Sequence, residues 1–119
     1  MTTTRGTTVG ILDADPQSLA AKTDALRLVP GVDVRMSAES LGQMLTDPSF
    51  PPDVVIIEQR AGERVSINYK IRVCRLADSR VIVVDTEMPG GALAPDVGSL
   101  MTPVHRFDEA VDLIAHGSR

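Results

Sequence analysis

The sequence predicts an α/β fold on a parallel sheet, and three observations carry that prediction. Three short apolar runs, "VGIL" (residues 9–12), "VVII" (54–57) and "VIVV" (81–84), do not alternate in polarity. Strands covered on both faces read this way, and such coverage is typical of parallel sheets. Amphipathic helical patterns lie between the runs, and strands alternating with helices make right-handed βαβ units. The chain has 119 residues, enough for one domain with a single core. Its first seven residues, 1–7, are expected to form a flexible N-terminus.

The elements follow in order. After "VGIL", Asp15 and Pro16 give a helix start, an N-cap carboxylate followed by proline at the first helical position. Leu19, Thr23, Leu26 and Val29 then share one face, and Pro30-Gly31 ends the run. "VDVRM" (32–36) alternates, as an edge strand would. Ser40 with Gln43 makes a capping box ahead of Leu41, Met44 and Leu45. After "VVII", Ser66 can cap a helix in which Ile67, Ile71 and Cys74 stand at helical spacing. The link after "VIVV", "DTEMPGGALAPDVG" (85–98), holds two prolines and three glycines. Proline removes a backbone donor and glycine costs about 1 kcal/mol relative to alanine in a helix. A regular three-turn helix is therefore not expected there, only loop with at most one turn around Gly91 to Leu93. "SLM" (99–101) is the weaker candidate for a fifth strand. Asp108 can cap the last helix, with Ala110, Val111, Leu113 and Ile114 as its buried stripe and Gly117 as its stop.

Composition excludes several functions. Net charge is −4, so this segment lacks the clustered cations with which proteins grip nucleic-acid phosphates. Aromatics are 3% and tryptophan is absent, which argues against a base-stacking platform. No run of about 20 apolar residues marks a membrane span, and "MTTTRGTT" lacks the apolar middle of a signal peptide. Cys74 is the single cysteine, so no internal disulfide can form, and a reducing cytoplasm is expected. One cysteine and two distant histidines make no zinc motif.

"VGILDADP", "PDVVIIE", "VIVVDT" and "LMTP", in this order and at this spacing, resemble a response-regulator receiver domain. "VSINYKIRVCRLADSRVIVV" is similar in particular to receivers that precede a LuxR-type helix-turn-helix in NarL/LuxR-type two-component transcriptional regulators of actinobacteria. The resemblance runs from Val9 to Ile114. It implies a flavodoxin-like (CheY-like) five-stranded parallel sheet of order 2-1-3-4-5, here with the fourth helix short or missing. The ligand site of such a fold lies at the carboxyl ends of the central strands.

The resemblance also implies which positions matter. A working receiver needs two acids after the first strand for magnesium and an aspartate after the third as phosphoryl acceptor. It further needs a Ser or Thr after the fourth strand and a lysine before proline after the fifth. Here the first acid matches Asp13, but the second position is Ala14, and Asp15 is better read as the helix cap. The acceptor position holds Glu58. The fourth-strand position is Asp85, or Thr86 if that strand runs one residue longer, and the lysine position is Thr102, ahead of Pro103. Ala14 takes a ligand from a metal that demands near-complete octahedral coordination. Thr102 removes a fixed positive charge, and Glu58 displaces the would-be nucleophile by a methylene, a misplacement of a size that can cost about 100-fold. Signalling through an aspartyl phosphate is not expected at this degenerate pocket, nor is bound magnesium or a resident cofactor.

Asp13, Glu58 and Asp85 would converge at the strand ends, where like charges raise one another's pKa or recruit a counter-ion. Arg60 or Arg64 is a candidate to neutralise them; so is a divalent ion held by the three acids. Cys74 reads as core packing rather than a redox sensor. His105 and His116 read as surface residues, and "KIRVCR", with Lys70, Arg72 and Arg75, as a solvated face. "MPGG" (88–91) reads as loop, and "GGALAPDVG" is no phosphate loop.

The leading expectation is a non-enzymatic, phosphorylation-independent pseudo-receiver, the N-terminal regulatory and dimerisation module of a transcriptional regulator. Any homodimer is expected to use the first and last helices or a rebuilt loop surface. A DNA-binding helix-turn-helix would lie in the full-length protein, since "AHGSR" stops where a linker to one would begin. Two alternatives stay open: a receiver phosphorylated on Glu58 or Asp85, and a small-ligand-binding flavodoxin-like module. No nucleophile–base pair is legible to support an enzyme.

Overall fold

The structure is a computed structural model. It describes residues 6–58, 66–84 and 97–117, with the side chains of all of these except 97, 116 and 117. Five strands form one parallel sheet: β1 (Thr7–Leu12), β2 (Val32–Ala38), β3 (Val54–Glu58), β4 (Arg80–Val84) and β5 (Thr102–Val104), in the order β2-β1-β3-β4-β5. The helices are α1 (Pro16–Arg27), α2 (Leu41–Leu45), α3 (Ile67–Leu76) and α4 (Phe107–Gly117), with a 3₁₀ turn at Val97–Leu100. This is the flavodoxin-like order expected. Of the β4–β5 link, the described part is the 3₁₀ turn; Gly91 to Leu93 lie outside the described residues.

The period of two along each strand divides the core into two layers. Val9, Ile11, Val54, Ile56, Ile82 and Val84 pack with Leu19 and Leu26 of α1 and with Ala110 and Ile114 of α4. On the opposite face, Leu12, Val55, Ile57, Val81 and Val83 pack with Leu41 and Met44 of α2 and Ile67, Ile71 and Cys74 of α3. All five residues of β3, the central strand, are buried, which is why its sequence does not alternate.

Helix starts follow the local chemistry. The Asp15 carboxylate accepts from the amides of Gln17 and Ser18, and Ser40 and Ser66 cap α2 and α3 by accepting from Gln43 and Tyr69. The Gln43 side chain reaches back past the cap and accepts from the Glu39 amide at 2.7 Å, so the reciprocal half of the expected capping box falls one residue before Ser40. Gly31, at φ +81° after Pro30, takes the left-handed turn that leads from α1 into β2. The carboxyl terminus of α1 is closed by Leu28, whose amide reaches the carbonyls of Ala25 and Leu26.

Four boundaries or placements differ from expectation. The fifth strand is Thr102–Val104 and not "SLM", whose residues fall in the 3₁₀ turn and the bend after it. A three-residue strand containing proline, with no fully buried residue, leaves almost no pattern to read. The last helix starts at Phe107, so Asp108 sits inside its first turn and does not cap it. Instead Glu109 reaches back to the amides of His105 and Arg106, at 2.6 and 3.0 Å. Lys70 is buried, not part of a solvated face, because it stands three residues after Ile67 and four before Cys74 on the inward stripe. Thr7, expected in the flexible terminus, already belongs to β1, its amide bonded to the Gly31 carbonyl at 2.8 Å.

Candidate functional site

The pleat decides which face of the sheet the acids address. Asp13 continues the Val9–Ile11 alternation and Glu58 the Val54–Ile56 alternation, so both carboxylates leave the sheet on the α1/α4 side. Asp13 is fully buried and the Glu58 side chain is 5% exposed. Two buried carboxylates at adjacent strand ends require a cation.

That cation is Lys22. Its Nζ lies 3.0 Å from Asp13 Oδ2 and 2.8 Å from Glu58 Oε1. It also donates to Ser18 Oγ, one turn earlier on α1. Helical side chains lean toward the helix N-terminus, and the N-terminus of α1 adjoins the end of β1. Lys22 therefore reaches back about one turn to the strand ends while its stem borders the buried Leu19–Thr23–Leu26 stripe. The ring of Phe107, the first residue of α4, stands over the ammonium with its centroid 5.7 Å from Nζ, within range of a cation–π contact. The second oxygen of Asp13 accepts from the Asp15 amide at 3.0 Å, which orients the carboxylate while Asp15 caps α1.

The residues singled out from the sequence divide as follows. Asp13 and Glu58 come together, through Lys22. Ala14 follows Asp13 and is exposed, offering no ligand. Asp15 is the cap it was read to be. Asp85, Thr86, Arg60 and Arg64 lie outside the described residues. Thr102 is not brought to the site. It opens β5, paired with Ile82, whereas Glu58 is level with Val84 and, one strand further, Val104. Thr102 thus stands two residues, about 7 Å, back along the sheet. The residue at the carboxyl end of β5 is Val104, followed by the exposed His105. Among the described residues, no three His, Cys, Asp or Glu side chains gather as a metal site.

Lys22 was not among the residues read from the sequence. A signal was available: it flanks the apolar stripe of α1, two turns from the Asp15 cap and four residues after Ser18. Cys74 is buried, and burial pushes its thiol up to about 11, in keeping with a packing role. No helix among the described residues is long and apolar enough to cross a membrane.

A parallel sheet of this order, with its acids at the carboxyl ends of β1 and β3, is the fold of response-regulator receiver domains. Solved structures that it resembles include those of the response regulators NarL and RcsB. The signal receiver domain of the response regulator NarL from Mycobacterium tuberculosis superposes with a TM-score of 0.63 at 17% identity, over 95% of this chain and 98% of that one. The isolated receiver domain of RcsB from Salmonella enterica serovar Typhimurium, in the presence of phosphomimetic BeF3−, gives 0.63 at 16% identity over 95% and 91%. RcsB from the same organism bound to promoter rprA gives 0.62 at 14% identity, over 96% of this chain and 69% of that one. No protein-family model and no curated protein matches the sequence.

Proposed function

We propose that this chain is a receiver-type regulatory module whose state is not set by phosphorylation. One observation carries the reading: the Lys22 ammonium bridges Asp13 and Glu58 at 3.0 and 2.8 Å. In the receivers it resembles, that region serves a divalent cation and a phosphoryl group. The residues present do not fit magnesium. Ala14 offers no side-chain oxygen, and a hard dication would have to displace an internal ammonium from both carboxylates. Glu58 is a poor phosphoryl acceptor for the same reason, its Oε1 being engaged and its chain one methylene too long.

In this reading the domain acts by contact, as a dimerisation and regulatory module at the N-terminal side of a transcription regulator rather than as an enzyme. Support for the wider architecture comes from RcsB, solved on promoter DNA as a chain of which this one spans 69%.

The test is an amide NMR titration with Mg²⁺ and then beryllofluoride. Flat amide positions around Asp13 and Glu58 through millimolar additions are expected, together with no acid-labile mass gain from a small phosphodonor. Saturable shifts at those residues, or a phosphorylated species, would overturn the proposal.

A further inference from the structure

We infer that the outer face of α3, together with the 3₁₀ turn, is a docking groove for an acidic amphipathic helix of a partner protein. Tyr69 is 55% exposed and Leu76 87%, and they stand seven residues apart on α3. Two turns separate them, about 10 Å, so both lie on one stripe of the helix surface. Large apolar side chains aligned on one helix face, rather than scattered singly, mark an interaction site.

The ground beside this stripe is concave. A cavity of about 370 Å³ is lined by Arg72, Arg75, Leu76 and Leu100. A second, of about 190 Å³, shares Arg75 and Leu100 with it and extends to Arg80 and Met101. The two adjoin at Arg75 and Leu100, so exposed Leu76, half-buried Leu100 and the arginines line neighbouring concave ground. Arg72 already has a partner within the chain, so the free charge is that of Arg75 and Arg80. Arg75 makes a long 3.4 Å bond to the Ser79 carbonyl, and neither Arg75 nor Arg80 has a carboxylate partner among the described residues.

Charge complementarity selects the occupant. On a chain of net charge −4, two arginines without carboxylate partners among the described residues, beside the exposed Leu76 and the half-buried Leu100, recognise an acid-bearing segment that also offers apolar side chains. A nucleic-acid backbone would leave Leu76 and Leu100 uncovered. An amphipathic helix with apolar residues two turns apart and Asp or Glu beside them meets Tyr69, Leu76, Arg75 and Arg80 together.

The experiment titrates the isotope-labelled chain with a synthetic amphipathic peptide of leucine and glutamate. Its controls are the same composition scrambled, oligoglutamate, and a short DNA duplex. Expected are saturable shifts at Tyr69, Arg72, Leu76, Arg80 and Leu100 with the amphipathic peptide alone. The affinity should fall at least tenfold in L76D and in R75E/R80E, and fall again with added salt. These positions are exposed, and unchanged thermal melting of the variants checks the fold. No binding, equal binding of scrambled peptide or oligoglutamate, binding indifferent to L76D, or shifts that follow duplex or protein concentration would each overturn the inference.

Discussion

Lys22 Nζ sits 2.8 Å from Glu58 Oε1, and the same nitrogen sits 3.0 Å from Asp13 Oδ2. One helical ammonium thus serves two carboxylates that the sheet has taken out of water. The pair of contacts couples the position of α1 to the ends of β1 and β3, and it makes the charge at 22 a stability determinant.

Replacing Lys22 by methionine keeps the stem and removes the charge. Two buried carboxylates then face each other, and the loss is expected to be about 3–5 kcal/mol in urea unfolding. Millimolar Mg²⁺ should recover part of the K22M melting temperature while leaving the parent unchanged, since only the variant has an anionic site to fill. A K22M variant as stable as the parent would refute the structural role of the ion pairs.

Restoring an aspartate at position 58 is not expected to restore phosphorylation. In E58D, Ala14 still provides no metal ligand and Lys22 still holds Asp13. Acid-labile phosphate on E58D after treatment with acetyl phosphate would show that chain length at 58 was the sole fault.

Cys74 should be unreactive in the native state. Its thiol, pushed up to about 11 by burial, is almost wholly protonated at pH 8, and the thiolate is the nucleophile. Labelling by a disulfide reagent is expected to follow the unfolding rate, and rapid labelling of the folded chain would contradict the packing role.

Glu109 makes the start of α4 sensitive to acid. The amides of His105 and Arg106 hold its carboxyl below the usual carboxylate range. A depressed folded pKa contributes stability that is present above the unfolded value and is lost as pH falls through the folded one. The protection factors of amides in the first turn of α4, exchange rates taken relative to the unstructured chain at the same pH, should therefore fall on acidification, and E109Q should flatten that dependence. An E109Q profile identical to the parent's would exclude the carboxylate as its source.

The Asp15 cap satisfies two orphan amides of α1. D15A is expected to lower stability by about 1 kcal/mol, measured by denaturant unfolding. A neutral result would mean that solvent replaces the cap without penalty.

The sequence made the central layout legible because its signals are local. Unalternating β-branched runs mark β1, β3 and β4, and Asp15, Ser40 and Ser66 announce the three helices they cap. What it could not show depends on register. Thr102 matched the resemblance by its neighbour Pro103, yet the pairing of Thr102 with Ile82 places it at the wrong end of β5. Lys22 was missed for a related reason. Helical spacing tells which face a residue occupies, but which strand ends that face overlooks depends on how α1 lies across the sheet. Lys70 shows the limit of charge as a guide, since its spacing from Ile67 and Cys74 outweighed its ammonium.

The contacts of Lys22 are also unevenly distributed along the chain. Ser18, Asp13 and Glu58 all lie within residues 13–58, in the half that leaves the ribosome first, and they need only β1, β3 and α1. Phe107 arrives from the opposite end, after β5. During synthesis the carboxylate partners of the ammonium therefore emerge before its aromatic cover does.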